Sequence, residues 1–217
     1  MPSISIPDSI PNATITNSAA HWNAKHRATA HEPPAEPAEF VRELLPLLPL
    51  GPALDLACGT GRHTLLLAAR HQGVTAIDSS DVALEILQQR AHEAHCGVTH
   101  VEGPARIVNR RQGISLWHAD LEAVRLPAEA FSLALCVNYL QRSLFPQIEN
   151  ALVPGGILLF ETYTVAQLDF EGGPRNPKYL LQVGELRTAF PKLRNLFYRE
   201  LRAGKGIASL IAQKPSN

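Results

Sequence analysis

The chain alternates short apolar runs with amphipathic stretches, the pattern of a sheet whose strands are joined by helices. Five runs have the length of buried strands: Ala53–Cys58, Val74–Asp78, Ile114–Ala119, Phe131–Val137 and Ile157–Glu161. Because helical patterns alternate with these runs, we predict an α/β fold with a parallel sheet and right-handed crossovers. Ligands of such sheets bind at the carboxyl ends of the strands.

The predicted helices begin and end at recognisable residues. A helix over Arg62–His71 is stopped by Gly73, and a short amphipathic helix that starts near Phe40 ends before Pro46. Another helix runs toward Gly97 and takes its N-terminal cap from one of three residues, Ser79, Ser80 or Asp81.

The remaining segments complete the predicted sheet. Leu193–Leu201 and Gly206–Ala212 have the pattern of a terminal antiparallel strand pair. Val98–Gln112 has no sustained period, and we interpret it as an insertion, with a hairpin as the structure it would form. Leu152–Gly156 predicts a helix end and a turn before the fifth strand.

The first strand runs into a turn with two glycines and then a helix. Gly59 and Gly61 allow the backbone to approach a ligand closely, and the free N–H groups of a helix start favour electronegative groups. A dinucleotide fingerprint needs glycine or alanine where this chain has Thr64. Asp55 would repel a pyrophosphate but attract an ammonium group. The turn therefore disfavours a nicotinamide-dependent oxidoreductase and indicates a ligand with a cationic head.

A second carboxylate, Asp78, ends the next strand and can accept hydrogen bonds from both hydroxyls of a ribose. A ribose together with an ammonium head describes S-adenosylmethionine. With Asp55, Gly59, Gly61 and Asp78 in this order and at this separation, the chain resembles the class I S-adenosylmethionine-dependent methyltransferases. The alternative is an unrelated turn between strand and helix with solvated carboxylates.

The resemblance implies a Rossmann-like three-layer sandwich with a seven-stranded, mostly parallel sheet and a C-terminal antiparallel pair. It implies that Asp55 and Gly59 hold the methionine end of the cofactor, that Arg62 reaches its carboxylate, and that Asp120 with the Leu121 backbone faces the adenine. Capping the turn after its strand is the alternative role of Asp120. The full set of expected cofactor residues is Asp55, Ala57, Cys58, Gly59, Gly61, Arg62, Asp78, Ser79, Asp120, Leu121 and Asn138.

The C-terminal third narrows the resemblance. Glu161–Thr164, Arg175–Leu181 and Gly184–Leu186, with the stretch Tyr139–Arg142, resemble the tellurite-resistance branch of small methyltransferases. That resemblance implies a small-molecule acceptor that is a soft or anionic nucleophile, such as a thiol, tellurite or selenite. Such nucleophiles need little help from a general base.

Three residues are expected to act on the substrate. Tyr139 and Arg142 follow the fourth predicted strand, and Arg175 follows the fifth. A guanidinium at Arg142 could orient an anion, or it could pair with a carboxylate to hold its loop. No dedicated base is evident, since packing or local hydrogen bonds explain each of four candidates better than a role as base: Tyr139, Tyr163, His63 and His118.

The length of 217 residues, 45% of them hydrophobic, fits one sizeable domain, which we place at residues 37–217. Residues 1–36 form an N-terminal extension. Its first 20 residues lack a period and are expected to be peripheral or mobile. Trp22 is expected either to pack on the domain or to form a lid over the cofactor site.

Formal net charge is zero, so nothing global favours nucleic acid or an anionic membrane. Residues 174–205 are locally basic, which is the one feature in favour of the alternative of an RNA or protein methyltransferase. A non-catalytic S-adenosylmethionine-binding module is the other alternative. We expect a monomer or homodimer.

The three cysteines are scattered, and no apolar segment approaches the ~20 residues of a membrane helix, so we expect a cytoplasmic protein. His92 and Cys96 could share a helix face as metal ligands, but no second ligand pair follows them. We therefore expect no metal.

Overall fold

A computed structural model describes residues 17–70, 72–103 and 112–216. Its single sheet has eight strands: β1 (Ala53–Leu56), β2 (Gly73–Asp78), β3 (Val98–His100), β4 (Gly113–His118), β5 (Phe131–Val137), β6 (Leu152–Tyr163), β7 (Arg194–Arg202) and β8 (Gly206–Gln213). Their order is β3-β4-β2-β1-β5-β6-β8-β7. Neighbours from β3 to β6 are parallel, whereas β8 runs antiparallel to both β6 and β7. The predicted α/β class and the C-terminal antiparallel pair are confirmed.

Helices cover both faces of the sheet. They are α1 (Asn17–Ala28), α2 (Glu39–Leu44), α3 (Arg62–Ala68), α4 (Asp81–Glu93), α5 (Phe145–Ala151) and α6 (Glu185–Thr188). Alternate residues of β5 face opposite layers: Leu133 and Leu135 pack with the buried side chains of α2 and α3, while Ala134 and Cys136 belong to the core beneath α5 and α6. This alternation, set by the two-residue period of a strand, gives the three-layer sandwich.

Two predictions about the sheet are wrong. The segment that begins at Val98 supplies a strand, β3, that pairs parallel to β4, so the sheet has eight strands where seven were predicted. The hairpin predicted within Val98–Gln112 would include residues that the structure does not describe, and it stays a prediction. Residues 104–111 of that insertion lie outside the described residues. The predicted turn at Leu152–Gly156 lies within β6, which starts directly after α5.

Glycine explains why β6 can include this turn-like sequence. Gly155 has φ +79°, and a Cβ on Gly156 would lie 2.9 Å from the Val153 carbonyl oxygen. The register between β5 and β6 shifts just there, between Phe131 and Leu133. The two glycines thus form an irregularity inside a strand, where local sequence signals predict a loop.

The N-terminal helix α1 begins at Asn17, earlier than the aperiodic sequence before His21 predicted. Residues 1–16 of the extension lie outside the described residues. No helix in the described ranges combines the length and apolar character needed to cross a membrane.

Candidate functional site

The site is built where the carboxyl ends of β1, β2, β4 and β5 meet. Asp78, at the end of β2, accepts a hydrogen bond from the Gly59 N–H at 2.8 Å and another from the Ser80 N–H at 2.9 Å. Its backbone carbonyl also accepts from the Ala119 N–H beyond β4 at 3.0 Å. Asp78 therefore fixes the glycine turn, its own strand and the adjacent strand to one another.

The two glycines of the turn have different roles. Gly59 has φ +53°, and the nearest atom to a Cβ built on it is His26 Cε1, at 3.8 Å. Gly61 has φ +85°, and a Cβ there would overlap the Leu87 side chain of α4. The prediction that both glycines cradle a ligand therefore needs correction: Gly59 can do so, whereas Gly61 allows α4 to pack against the turn.

Two residues other than glycine have a left-handed backbone conformation, with positive φ, at the strand ends. Ala57 follows β1 with φ +54°, and Asn138 follows β5 with φ +60°. Each such conformation costs of order 1–3 kcal/mol and persists only where the surroundings impose it. The Asn138 N–H donates to the Glu161 carbonyl at 2.8 Å, and the Asn138 side chain is exposed. These are conformations typical of binding sites, and both fall on residues predicted to touch the cofactor.

Asp55 lies beneath the turn. Its carboxyl is 1% exposed and accepts a 2.6 Å hydrogen bond from the Thr64 hydroxyl on α3. Burial raises the pKa of Asp55 to about 7, against the opposing effect of the Thr64 bond. Direct contact with a ligand ammonium does not fit this geometry, so the predicted role of Asp55 is corrected to support of the turn. Thr64 is the hydrogen-bond partner of Asp55. From the sequence, Thr64 served only as a reason against dinucleotide binding.

The carboxylate after β4 caps a turn, the alternative left open by the sequence. Asp120 Oδ1 accepts from the Glu122 N–H at 2.9 Å. The Leu121 side chain is 4% exposed and belongs to the core, which leaves its backbone as the part available to a ligand.

Tyr139 is half-buried, and burial together with Cys136 and the carboxylates of Glu122, Asp120 and Asp78 raises its pKa. This electrostatic contact places Tyr139 near the predicted cofactor carboxylates. At neutral pH the phenol is protonated, so Tyr139 can donate a hydrogen bond but is a poor general base.

Arg142 is not free to bind an anion. Its Nε and one terminal nitrogen donate to the two carboxylate oxygens of Glu185 at 2.6 and 2.8 Å, and its guanidinium also donates to the carbonyls of Lys178 and Leu180. The Glu185 bond raises the pKa of Arg142. The alternative of a carboxylate pair that holds the loop is confirmed, and these contacts give no support to the predicted role of Arg142 at the substrate.

Arg175 is likewise engaged by its own loop. Its terminal nitrogens donate to the carbonyls of Leu168 and Phe170 at 2.9 and 2.6 Å. These bonds tie Arg175 to the segment after β6 and give no support to its predicted role at the substrate.

The start of α3 is tied to the segment before α2. Arg62 donates to the Glu36 carbonyl at 3.3 Å, and His63 Nε2 accepts from the Ala38 N–H at 3.1 Å. Burial, followed by the nearby Arg62 charge, lowers the pKa of His63 to about 3. His63 is therefore a neutral hydrogen-bond acceptor inside the protein and not a catalytic base.

The loop after β2 is held in a similar way. His118 Nε2 donates to the Ser79 carbonyl at 3.0 Å. Of the three predicted caps of α4, Ser80 is the one whose hydroxyl accepts from the helix, from the Ala83 N–H at 3.0 Å.

Sequence reasoning missed Asn23 and His26 on α1, which reach Ser80 and Gly59. The isolated tryptophan at position 22 was the only signal that this segment docks. Among residues 17–70, 72–103 and 112–216, no group of three or more His, Cys, Asp or Glu side chains is arranged to hold a metal ion.

Comparisons with known proteins agree with this geometry. Residues 53–112, which span β1 to the insertion, match a family model described as a methyltransferase domain. The trans-aconitate 2-methyltransferase of Rhizobium meliloti is 30% identical over 139 residues, covering 63% of this chain and 48% of the relative. The malonyl-[acyl-carrier protein] O-methyltransferase of Serratia marcescens is 26% identical over 161 residues, covering 69% and 55%. The chain thus spans about half the length of the curated relatives it matches.

Solved structures share the fold. TehB from Haemophilus influenzae aligns with a TM-score of 0.64 at 16% identity, over 89% of this chain and 67% of TehB. An S-adenosylmethionine-dependent methyltransferase from Methanosarcina mazei aligns with a TM-score of 0.59 at 16% identity, over 84% of this chain and 100% of its own. The architecture is therefore that of Rossmann-like methyltransferases. The matched domain model and the shared architecture both indicate a methyltransferase domain in this chain.

Proposed function

We propose that the chain transfers a methyl group from S-adenosylmethionine to a small anionic acceptor. The observation that carries the proposal is the Asp78 carboxylate bound to the Gly59 N–H. It places an acidic acceptor beside a glycine whose Cβ position, among the described residues, has only His26 Cε1 within 4 Å. This pair lies inside the segment that matches the methyltransferase domain model.

The residues at the strand ends fit this cofactor. Each Asp78 oxygen accepts one backbone hydrogen bond and can accept another from a ribose hydroxyl. Asp120 and the Leu121 backbone would face the adenine, and Gly59 with Arg62 would hold the methionine end. When bound, S-adenosylmethionine supplies an electrophilic methyl carbon, and Tyr139 and Asn138 would orient the acceptor toward it.

The proton chemistry of the site supports an anionic acceptor. His63 and His118 are engaged in structural hydrogen bonds, and the phenol of Tyr139 stays protonated. An acceptor that is already an anion at neutral pH loses no proton when it is methylated, so it needs no general base. A carboxylate meets this condition, as do a low-pKa thiol, tellurite and selenite.

Among these we favour a carboxylate. The names of the relatives describe methylation of trans-aconitate and of malonyl-[acyl-carrier protein], both carboxylic acids. The resemblance to the tellurite-resistance branch supports the soft nucleophiles, although the likeness to TehB is one of fold.

Transfer of a labelled methyl group from S-adenosylmethionine tests the proposal. The acceptors are di- and tricarboxylates, low-molecular-weight thiols, tellurite and selenite, each with wild type and with Asp78→Ala as a binding-deficient control. We expect wild type to form a base-labile methyl ester with at least one polycarboxylate. Label found only on sulfur, tellurium or selenium would overturn the carboxylate assignment, and no transfer to any small acceptor would overturn the proposed function.

The alternative of an RNA or protein acceptor loses some support because three of the eight basic residues at 174–205 form ion pairs. Lys178, Arg199 and Arg202 form ion pairs with Glu122, Glu161 and Asp169. A gel-shift titration with RNA at low salt is the test, since phosphate binding weakens steeply as salt rises. The monomeric or homodimeric state and the cytoplasmic location stay predictions.

A further inference from the structure

Helix α1 is joined to the cofactor-binding turns by a buried polar contact. The Ser80 hydroxyl donates to Asn23 Oδ1 at 2.6 Å while it accepts from the Ala83 N–H. Asn23 is 7% exposed, and Ser80 is fully buried. A buried pair of this kind stabilises only one position of α1, because a shift would leave the Ser80 O–H donor and Asn23 Oδ1 without each other.

One helical turn further along α1, His26 lies directly above Gly59. Its Cε1 is 3.8 Å from the position that a Cβ on Gly59 would occupy, which is ordinary van der Waals contact. Trp22 stacks on the imidazole, with ring centroids 5.9 Å apart and planes at 27°. The imidazole therefore extends from α1 to the side of the turn that lacks a Cβ.

The charges around His26 suit a cationic ligand. Burial lowers the pKa of His26, the Asp78 carboxylate raises it and Lys25 on the same helix lowers it, with a net decrease. His26 is therefore neutral at pH 7. Lys25 Nζ is directed over the Trp22 ring, 4.6 Å from its centroid.

We infer that His26 is a cofactor-contacting residue, and that α1, fixed by Asn23 and Ser80, forms a wall of the S-adenosylmethionine site over Gly59. The inference rests on the proposed function, because it assumes that this cofactor occupies the site. It assigns a residue of the N-terminal extension, outside the matched domain segment, to cofactor binding.

Two ligands that differ in charge can distinguish direct contact with His26 from a purely structural role of this residue. S-adenosylmethionine carries a sulfonium charge that its product, S-adenosylhomocysteine, lacks, while both have the same amino-acid and nucleoside groups. Protonated His26 should therefore weaken the binding of S-adenosylmethionine more than the binding of S-adenosylhomocysteine. Titrating groups that affect both ligands equally leave the ratio of the two dissociation constants unchanged.

Calorimetric titration of both ligands at pH 8 and pH 5.5 is the experiment. For wild type, we expect acidification to weaken S-adenosylmethionine binding several-fold more than S-adenosylhomocysteine binding. In His26→Asn, both ligands should bind about 5- to 10-fold more weakly at pH 8, the range expected for loss of one hydrogen bond or contact. The extra penalty on the sulfonium ligand at pH 5.5 should vanish.

His21→Asn is the matched control, since His21 is an exposed histidine of the same helix; this variant should behave as wild type. His26→Gln repeats the test if the asparagine variant melts early. Failure of wild type to bind either ligand would overturn the proposed function. Normal binding by wild type together with unchanged affinities and an unchanged pH response in both His26 variants would overturn the inference alone.

Discussion

At the scale of the residue, Asp78 has the most demanding role, because one carboxylate serves both the fold and the proposed cofactor. It receives two backbone hydrogen bonds and still has acceptor capacity on each oxygen. Asp55, predicted from the sequence as its partner in ligand binding, is closed off from solvent. The same residue type at two neighbouring strand ends therefore has two different functions.

Replacing Asp78 with alanine should weaken S-adenosylhomocysteine binding by about 1–3 kcal/mol, because charge-assisted hydrogen bonds to the ribose are lost. Calorimetry on the folded variant measures this, with Glu85→Ala on the exposed face of α4 as the control. An unchanged affinity would contradict the ribose role.

Replacing Gly61 with alanine should destabilise the fold by about 1–3 kcal/mol, because the new Cβ would meet Leu87 and the backbone has φ +85°. Denaturant unfolding of Gly61→Ala, Leu87→Ala and the double variant measures the coupling. We expect the double variant to lose less free energy of unfolding than the two single variants lose together. Strict additivity would show that the two side chains do not compete for space.

At the scale of the element, the Arg142–Glu185 pair connects the loop after β5 to the start of α6. Arg142 also binds the carbonyls of Lys178 and Leu180. Leu181 is in turn joined to Tyr163 and Val165, at and just beyond the end of β6, by backbone hydrogen bonds. This clamp fixes the segment after β6 relative to the strand-end loop that carries Tyr139.

Replacing Glu185 with glutamine should raise KM for the acceptor several-fold while leaving the S-adenosylhomocysteine Kd unchanged, because the clamp holds the loop that carries Tyr139, the proposed acceptor-orienting residue. Steady-state kinetics and calorimetry separate the two effects. Glu171→Gln, in an exposed part of the loop after β6, is the control. Equal losses in cofactor and acceptor binding would point to general unfolding of this region instead.

At the scale of the whole molecule, two buried groups should give opposite dependences of stability on pH. Asp55 has a pKa of about 7 in the folded protein and an ordinary value of 3.8, so it lowers the free energy of unfolding as pH rises between these values. His63 has a folded pKa of about 3 against an ordinary 6.5, so it raises that free energy as pH rises over its own window. His26, whose pKa is also lowered, acts in the same direction as His63.

Denaturant unfolding between pH 4.5 and 6.5 should reveal this compensation. In Asp55→Asn, stability should rise with pH more steeply than in wild type, because the opposing carboxyl is gone. In His63→Asn, the slope should be lower than in wild type. Identical slopes in all three proteins would mean that burial does not shift the pKa of Asp55 or of His63.

Much of this fold could be predicted from the sequence because strands, helices and turns depend on neighbouring residues. The two-residue and helical periods located β1, β2, β5, α4 and the C-terminal strand pair, and the glycine turn with Asp78 indicated the cofactor. The predictions failed where the same short sequence is compatible with two different local structures. The glycines at 155 and 156 form an irregularity in β6 instead of a turn, and the segment after Gly97 adds a parallel edge strand.

Only the tertiary structure decided which partner each long polar side chain has. Arg142 meets Glu185 43 residues further along the chain, and Asn23 meets Ser80 57 residues away. No periodicity relates such pairs, because their distance depends on how whole segments pack over the sheet. The sequence by itself thus determined where a nucleoside cofactor could bind, while packing determined that Arg142 is a clamp, that Asp55 is buried, and that His26 reaches Gly59.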